Sequence, residues 1–466
     1  MKLLSNQKAV VGFIYVIAMF MSALDATIIN VALPTIAADL RVAPSQAGSV
    51  NIGYLISLAM FLPAVGWLGD RFGTKRVFLG ALSIFTLASI LCGFSDSLII
   101  LTIFRVVQGI GAGLLTPTGM AILFRTFSHE ERPKVSRMLV VPIALAPALG
   151  PVIGGVFVDQ LSWRWVFFIN IPFGTLALLI GSLFLHEQVK SIAKTFDIKG
   201  FFLSISGFGL FVYALVQGPA LGWYSPLVLV TGAFGLILLV TLGIVESRID
   251  QPILELRLLK EPSFRYMSMI ALFTAAALLG MLYVFPLMYQ NALDKSALDT
   301  GLTSFPEAIG LMAASQLMPW TMKRLGTRKL LLVSLTASFF TFLLLTIAVS
   351  SDPWLVRMLM FSVGFCLGHA VGASQITAFA NITPSQMSRA TTLFQVQNRL
   401  GSVLGVAILS SVLSMNKSVN VSFHSYQWAM GGASLFLLLS FVTAMKYKEE
   451  KAERKQSAAE NVQAAK

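Results

Sequence analysis

The sequence predicts an all-α polytopic membrane protein. Two six-helix halves and two further helices inserted between them make fourteen spans, with both termini in the cytoplasm. Three observations carry this prediction. The first is composition: 12% of the 466 residues are charged and 56% are apolar, before 36 Gly are counted, against about 25% and ~45–50% in soluble domains. The second is the length of the apolar runs, which approach the ~20 residues a membrane helix requires. The third is a charged turn that recurs after 253 residues. Together they exclude a soluble enzyme, a disordered chain and a coiled coil. Mean hydropathy is +0.79 and the isoelectric point is 9.8. Nucleic-acid binding does not follow, because the bases occupy short breaks between apolar runs rather than one wet face. A β-barrel would show ~10-residue alternating segments. Cys92 and Cys366 both lie inside apolar runs, so neither a disulfide framework nor a metal site is expected.

The spans follow in order. Span one, 9–33, comes after Lys2 and Lys8 as a signal peptide would, but no small-x-small cleavage site follows and Asp25 interrupts it. It is expected to remain a helix. Spans two and three, 46–69 and 77–95, flank a basic turn, and span four, 98–124, carries Arg105. Span five, 135–158, holds Pro147 and two glycine pairs, and span six is 165–185. Spans seven and eight are 200–217, which Gly207, Gly209 and Gly218 dilute, and 226–245. The remainder are 266–291, 300–322, 330–349, 354–380, 388–414 and 428–445. The expected organisation is an N-terminal half (1–190), two inserted helices with linkers (191–260), a C-terminal half (261–446) and a basic cytoplasmic tail (447–466). With the N-terminus inside, 27 Lys and Arg fall on the inner side and four on the outer: Arg41, Arg164, Lys295 and Lys417. That bias sets the expected orientation and supports an even number of spans. The tail is expected to lie near anionic lipid headgroups.

The repeat has two independent marks. Gly66-Trp67-Leu68-Gly69-Asp70-Arg71-Phe72-Gly73-Thr74-Lys75-Arg76 closes span two, and Pro319-Trp320-Thr321-Met322-Lys323-Arg324-Leu325-Gly326-Thr327-Arg328-Lys329 closes span ten. Arg105 and Arg357, near the starts of spans four and twelve, are 252 apart. Duplicated membrane halves are common in secondary transporters, whose substrate sites lie between the repeats near the midplane.

Few residues at membrane depth carry charge. A carboxyl in hydrocarbon costs ~2.5–3.5 kcal/mol or more, so Asp25 should face the bundle interior. Asp25 lies ~13 Å and Arg105 ~10 Å below the outer ends of their spans, so a pair is feasible. It would be either a proton site switched by rearrangement or a permanent structural ion pair. Glu307, ~12 Å inside span ten, would carry a second proton, attract a cationic substrate, or border a wet vestibule. The Gly66, Asp70, Arg71, Gly73, Lys75, Arg76 turn is either a conformational latch or a topogenic basic turn. Lys323 replaces its acid in the second copy. Gly109 and Gly113 share one helix face, as do Gly401 and Gly405, for close packing in lipid. Gly150, Pro151, Gly154 and Gly155 suggest a bend in span five. Asn30, Gln108, His369, Gln397, Asn398 and Arg399 are candidates to line a polar cavity. Arg399 needs a partner or water, and His369 is either a hydrogen-bonded core residue or a proton relay. No Gly-rich run continues into Gly-Lys-Ser/Thr, so ATP does not drive the chain directly. No enzymatic motif, metal or cofactor is expected.

These residues resemble the major facilitator superfamily along essentially the whole chain, and most closely its fourteen-span drug:proton antiporters of the EmrB/QacA type. Leu24-Asp25-x-Thr27-Ile28-x-Asn30-x-Ala32-Leu33-Pro34 resembles that group's first-helix signature. Gly66-x-Leu68-x-Asp70-Arg71-x-Gly73 with Lys75-Arg76 resembles the superfamily loop motif, and Arg105-x-x-Gln108-Gly109-x-Gly111 its fourth-helix motif. Gly150-Pro151-x-x-Gly154-Gly155 resembles the exporters' fifth-helix motif, and Trp163-Arg164-Trp165-x-Phe167-x-Ile169-Asn170-x-Pro172 is also typical. The resemblance implies a proton-driven exporter in a bacterial cell membrane, with Asp25 and Arg105 in proton coupling. Glu307 belongs to none of these motifs. The expected cargo is hydrophobic, amphipathic small molecules, cationic before neutral. Protons and membrane lipids are the other expected partners, and nucleic acid is not. The sequence identifies no accessory efflux partner. A dedicated exporter of one metabolite, siderophore or lipid on the same fold is the alternative. An uptake symporter and a non-transporting membrane receptor are weaker rivals.

Overall fold

The computed structural model describes residues 7–42, 44–128, 131, 145–146, 149–150, 153–187, 197–249, 252–349, 352–414 and 423–448. Those residues form helices and connecting turns, and twelve of the helices are long and apolar enough to cross a membrane. We number them α1 (Gln7–Asp39), α2 (Ser49–Phe72), α3 (Thr74–Gly93), α4 (Leu98–Thr126), α5 (Trp165–Phe184) and α6 (Ile198–Leu221). They continue as α7 (Pro226–Arg248), α8 (Pro262–Asn291), α9 (Ala297–Ala348), α10 (Pro353–Ala378), α11 (Met387–Ser414) and α12 (Phe423–Lys446). Hydrocarbon offers no water to unpaired backbone groups, so apolar runs of this length satisfy themselves as helices.

The expected boundaries hold to within a few residues at most ends, including those of the glycine-diluted span 200–217. Two expectations meet the structure differently. Most of the expected span 135–158 lies outside the described residues, although 153–160 is helical. The expected spans 300–322 and 330–349 are continuous in α9, which runs 52 residues and breaks its helical geometry at Gly326 (φ 72°, ψ 165°). Gly73, between α2 and α3, has φ 91° and ψ 141°. Gly73 and Gly326 are the equivalent glycines of the two repeat copies. Both occupy positive φ, which glycine adopts without steric cost, so the sequence repeat is also a repeat of turn geometry.

Local chemistry sets the helix starts. Ser97 accepts the Ile100 amide and caps α4. Asp197 caps α6 through the Gly200 amide, and Ser296 caps α9 through the Asp299 amide. Pro226 and Pro262 stand in the first turns of α7 and α8, where no amide hydrogen is needed.

The chain divides into two compact units. The first contains the helices from Gln7 to Arg257 together with Ile382–Val396, so the N-terminal part of α11 belongs to it. In this unit α4 lies against α2 where Gly113 meets the Leu58 carbonyl, and against α3 where Gly111 meets Ala81 and Phe85. Helix α6 packs by Gly209 on Met60 of α2. Its partner α7 leaves Leu229, Val230, Phe234 and Ile237 exposed, which suits contact with lipid tails. The second unit contains Leu258–Asn381 and the chain from Gln397. There Gly401 and Gly405 of α11 meet Leu272 and Ala276 of α8, and Gly310 and Gly364 bring α9 and α10 together. Small residues at these crossings let the backbones approach, which is how helices gain contact in lipid.

Candidate functional site

The first unit encloses a charged cluster. Asp25 on α1 is 1% exposed and Arg105 on α4 is fully buried. Asp25 Oδ2 accepts from Arg105 Nη1 at 2.6 Å. Its other oxygen, Oδ1, accepts from Gln108 Nε2 at 3.0 Å and from Asn170 Nδ2 at 3.1 Å. Arg105 Nη1 also donates to Gln108 Oε1 at 2.8 Å. Asn170 Nδ2 donates as well to Ser89 Oγ, which itself donates to the Phe167 carbonyl. The guanidinium lies over the Tyr54 ring at 4.5 Å and near the Phe167 ring at 5.5 Å. Arg105 Nε and Nη2 have no hydrogen-bond partner, so the rings supply the rest of its electrostatic surroundings.

The sequence places these groups for simple reasons. Arg105 and Gln108 are three residues apart on α4 and so project from one helix face. Asn170 stands at the start of the main helical run of α5, just after the Trp163–Phe168 segment. That segment is fixed at the C-terminal end of α1: Trp163 Nε1 and Arg164 Nη1 both donate to Asp39 Oδ2, at 2.8 and 3.0 Å. Beneath it Trp163, Val166 and Phe167 pack with Ile28, Ile29, Ala32, Cys92 and Leu101. This apolar layer covers the charged cluster on one side.

Gly150 and Gly154 face α1 beside the cluster. A Cβ on Gly150 would collide with Thr27 Oγ1, and one on Gly154 would crowd Ile28. Gly155 has open space where a Cβ would go among the described residues. Pro151 lies outside the described residues. Gln108, expected as cavity lining, is instead fully buried in the Asp25 cluster. Asn30 is exposed and accepts from Asn51 Nδ2 at 3.0 Å.

The loop group lies elsewhere in the same unit. Asp70 is 3% exposed, and its Oδ2 accepts from Arg389 Nε at 2.6 Å. Arg389 Nη1 reaches Glu255 Oε2 at 3.1 Å. Gly66 leaves room for the Arg389 backbone, whose Cα would stand 3.3 Å from a Cβ there. Glu187 Oε1 accepts from Thr74 Oγ1 and the Lys75 amide, both at 3.3 Å, so it caps the start of α3. Lys75 Nζ donates to the Ser182 carbonyl, while Arg71 and Arg76 are exposed. Arg125 donates to the Pro384 carbonyl at 2.9 Å and to Thr74 Oγ1 at 3.3 Å. Asp70 is therefore paired with a residue 319 positions away.

In the second unit Glu307 is 6% exposed and its Oε1 has no hydrogen-bond partner. Gly364 brings α10 directly onto the Glu307 backbone. His369 Nδ1 donates to the Phe365 carbonyl at 2.9 Å, and the residue is 4% exposed. Gln397 and Asn398 are half-buried and Arg399 is exposed. Sequence reasoning missed Asn170, Ser89, Arg389, Glu255 and Glu187. Only Asn170 carried a signal, its place in the Trp163–Pro172 motif. Among the described residues no group of three or more His, Cys, Asp or Glu forms a metal site.

A profile described as Major Facilitator Superfamily matches residues 15–406 and, separately, 269–465. The second match begins in the second copy of the repeat. The "Multidrug resistance protein B homolog" of Mycobacterium tuberculosis (strain ATCC 25618 / H37Rv) is 29% identical over 408 residues, covering 86% of this chain and 75% of its own. The "Multidrug transporter protein MdtP" of Bacillus subtilis (strain 168) is 30% identical over 401 residues, covering 86% and 74%. Among solved structures, the human organic anion transporter MFSD10 (TETRAN) matches with a TM-score of 0.68 and 17% identity, over 94% of this chain and all of that one. That likeness is one of fold.

Proposed function

The chain belongs to the Major Facilitator Superfamily, a family of transporters rather than enzymes, and from that membership we propose that it is a proton-coupled antiporter. It exports hydrophobic, amphipathic compounds, cationic before neutral, from a bacterial cytoplasm by alternating access. On this proposal it crosses the inner or plasma membrane fourteen times with both termini cytoplasmic, and the proton gradient is its energy source in place of any cofactor. The observation that carries the proposal is the buried Asp25 carboxylate, paired to Arg105 at 2.6 Å inside an apolar shell. The names of the relatives support multidrug cargo.

Asp25 is the proton carrier. Ionised, it is held by Arg105, Gln108 and Asn170. A proton removes the charge that compensates buried Arg105, and the guanidinium must then find other partners or water. Proton binding thereby favours a different arrangement of α1 and α4. One charge crossing 100 mV is worth ~2.3 kcal/mol, enough to bias such an arrangement. Glu307, buried with one oxygen unpaired, accepts a second proton or the cationic group of a substrate. The Asp70–Arg389–Glu255 group acts as a latch that opens and re-forms during the cycle.

The test is ethidium accumulation in cells expressing the chain, with and without a protonophore, beside Asp25→Asn at equal membrane level. Wild type is expected to lower accumulation, and either the protonophore or the substitution to abolish the effect. Protonophore-sensitive export by Asp25→Asn would overturn the role of Asp25. An inert but well-expressed wild type would favour a dedicated exporter of one metabolite, siderophore or lipid.

A further inference from the structure

The two inserted helices carry a pair of carboxyls that transport through Asp25 does not use. Asp197 caps α6, its Oδ1 accepting the Gly200 amide at 2.9 Å. Glu246 lies in the last turn of α7 and is 1% exposed. Its Oε2 accepts the Leu254 amide at 3.4 Å, and the Ile253 amide is also bonded to this carboxyl. One oxygen of each acid is thus committed to backbone donors. The remaining two, Asp197 Oδ2 and Glu246 Oε1, are buried and have no donor among the described residues.

Those two oxygens converge. A Cβ built on Gly200 would collide with both, and the two side chains are within hydrogen-bonding reach of each other. Two ionised carboxylates cannot face one another in this way without strong repulsion. Among the described residues no charged group on the surrounding elements donates to either oxygen. Lys199 on α6 and Arg248 on α7 are exposed. Arg257 donates to the Ile249 carbonyl, and Glu255 faces Arg389. On α2, which packs against α6, the charged residues are Asp70, paired to Arg389, and exposed Arg71. One proton between the oxygens satisfies both, since a single carboxyl then donates to the other.

We propose that Asp197 and Glu246 bind one shared proton, forming a second protonation site on the inserted helix pair, separate from Asp25. Its consequence reaches the loop group. Glu246 holds the Ile253 and Leu254 amides, and the next residue, Glu255, holds Arg389, which holds Asp70. With the proton bound, residues 253–255 stay against α7 and Glu255 stays on Arg389. With the proton lost, two like charges repel and Glu246 withdraws from the two amides. The 253–255 segment then loosens its hold on Arg389. The inserted helices thereby report local proton concentration to the Asp70 contact.

The inference does not depend on which substrate is carried, or on whether transport occurs at all. The test is infrared difference spectroscopy of the full chain in lipid nanodiscs at neutral pH. The wild type minus Glu246→Gln spectrum should contain the C=O stretch of a protonated carboxyl. Asp197→Asn should lose the same band, while Asp25→Asn and Glu307→Gln keep it, which separates it from the transport site. Each of the two substitutions keeps the side-chain shape, so if one fails to fold the other carries the test. Hydrogen exchange provides a second readout. After correction for the intrinsic rate, alkaline pH should deprotect residues 252–257 in wild type and leave Glu246→Gln unchanged. Absence of the band from wild type, or its persistence in both Glu246→Gln and Asp197→Asn, overturns the proposal. So does a tightly bound metal ion in the purified wild type that Glu246→Gln lacks.

Discussion

At the scale of single residues, the Asp25 carboxylate is held by donors from two other helices, and each contributes differently. Arg105 compensates the charge, whereas Asn170 orients one oxygen and is itself tied to Ser89. Asn170→Ala would leave a buried acceptor short of a donor, which costs about 1–3 kcal/mol. The expected result is a melting temperature lowered by several degrees in detergent. An unchanged melt would mean that Asn170 does not hold Asp25. Arg105→Ala is expected to cost more, about 3–5 kcal/mol, because it strands a buried charge. Comparing the two melts checks that order. The pairing of Asp25 with Arg105 was legible from matched depths in their spans. Asn170 was legible only as part of a typical segment, since an Asn at a helix start has many local uses.

At the scale of elements, the turn between α2 and α3 combines a backbone requirement with a long-range ion pair. Gly73 has φ 91°, and a Cβ there would also collide with Glu187. Gly73→Ala is therefore expected to destabilise by about 1–3 kcal/mol, read as a lowered melting temperature. Thermal unfolding alongside Gly243→Ala, where nothing lies within 4 Å of the added Cβ, controls for the substitution itself. Asp70 and Arg389 are tested by a double-mutant cycle. Each single neutral substitution should slow export, and the double should cost less than the sum by about 1.5–3 kcal/mol if the charge-assisted bond is the coupling. Strict additivity of the export rates would remove the latch. The glycine turn was readable because both repeat copies keep it. Arg389 was not, because nothing near residue 389 in the sequence points to residue 70.

At the scale of the whole molecule, orientation and span number remain linked through the Lys and Arg bias. An even count with cytoplasmic termini places Asp294, in the turn after α8, outside and Lys448, after α12, inside. A cysteine replacing Asp294 should react with a membrane-impermeant maleimide in intact cells. One replacing Lys448 should react only after permeabilisation. Cys92 is buried and Cys366 partly so, so the background should be low and is measured in the parent chain. Labelling of both positions from one side would refute the fourteen-span count.

Hydropathy, Lys and Arg placement and the recurring turn determined the class, most helix boundaries and the turn glycines. Each is a local property, because hydrocarbon forces every span to satisfy its own backbone and thereby ties structure to the composition of a short window. The tertiary structure alone decided which polar groups meet. Asp25 joins residues 80 to 145 positions away, Asp70 joins Arg389, and Asp197 meets Glu246 between α6 and α7. Such contacts depend on which helix faces oppose one another. In lipid, with little hydrophobic force between helices, that choice is made by small-residue fit and by the need of each buried polar atom for a partner. Neither leaves a mark in a local stretch of sequence.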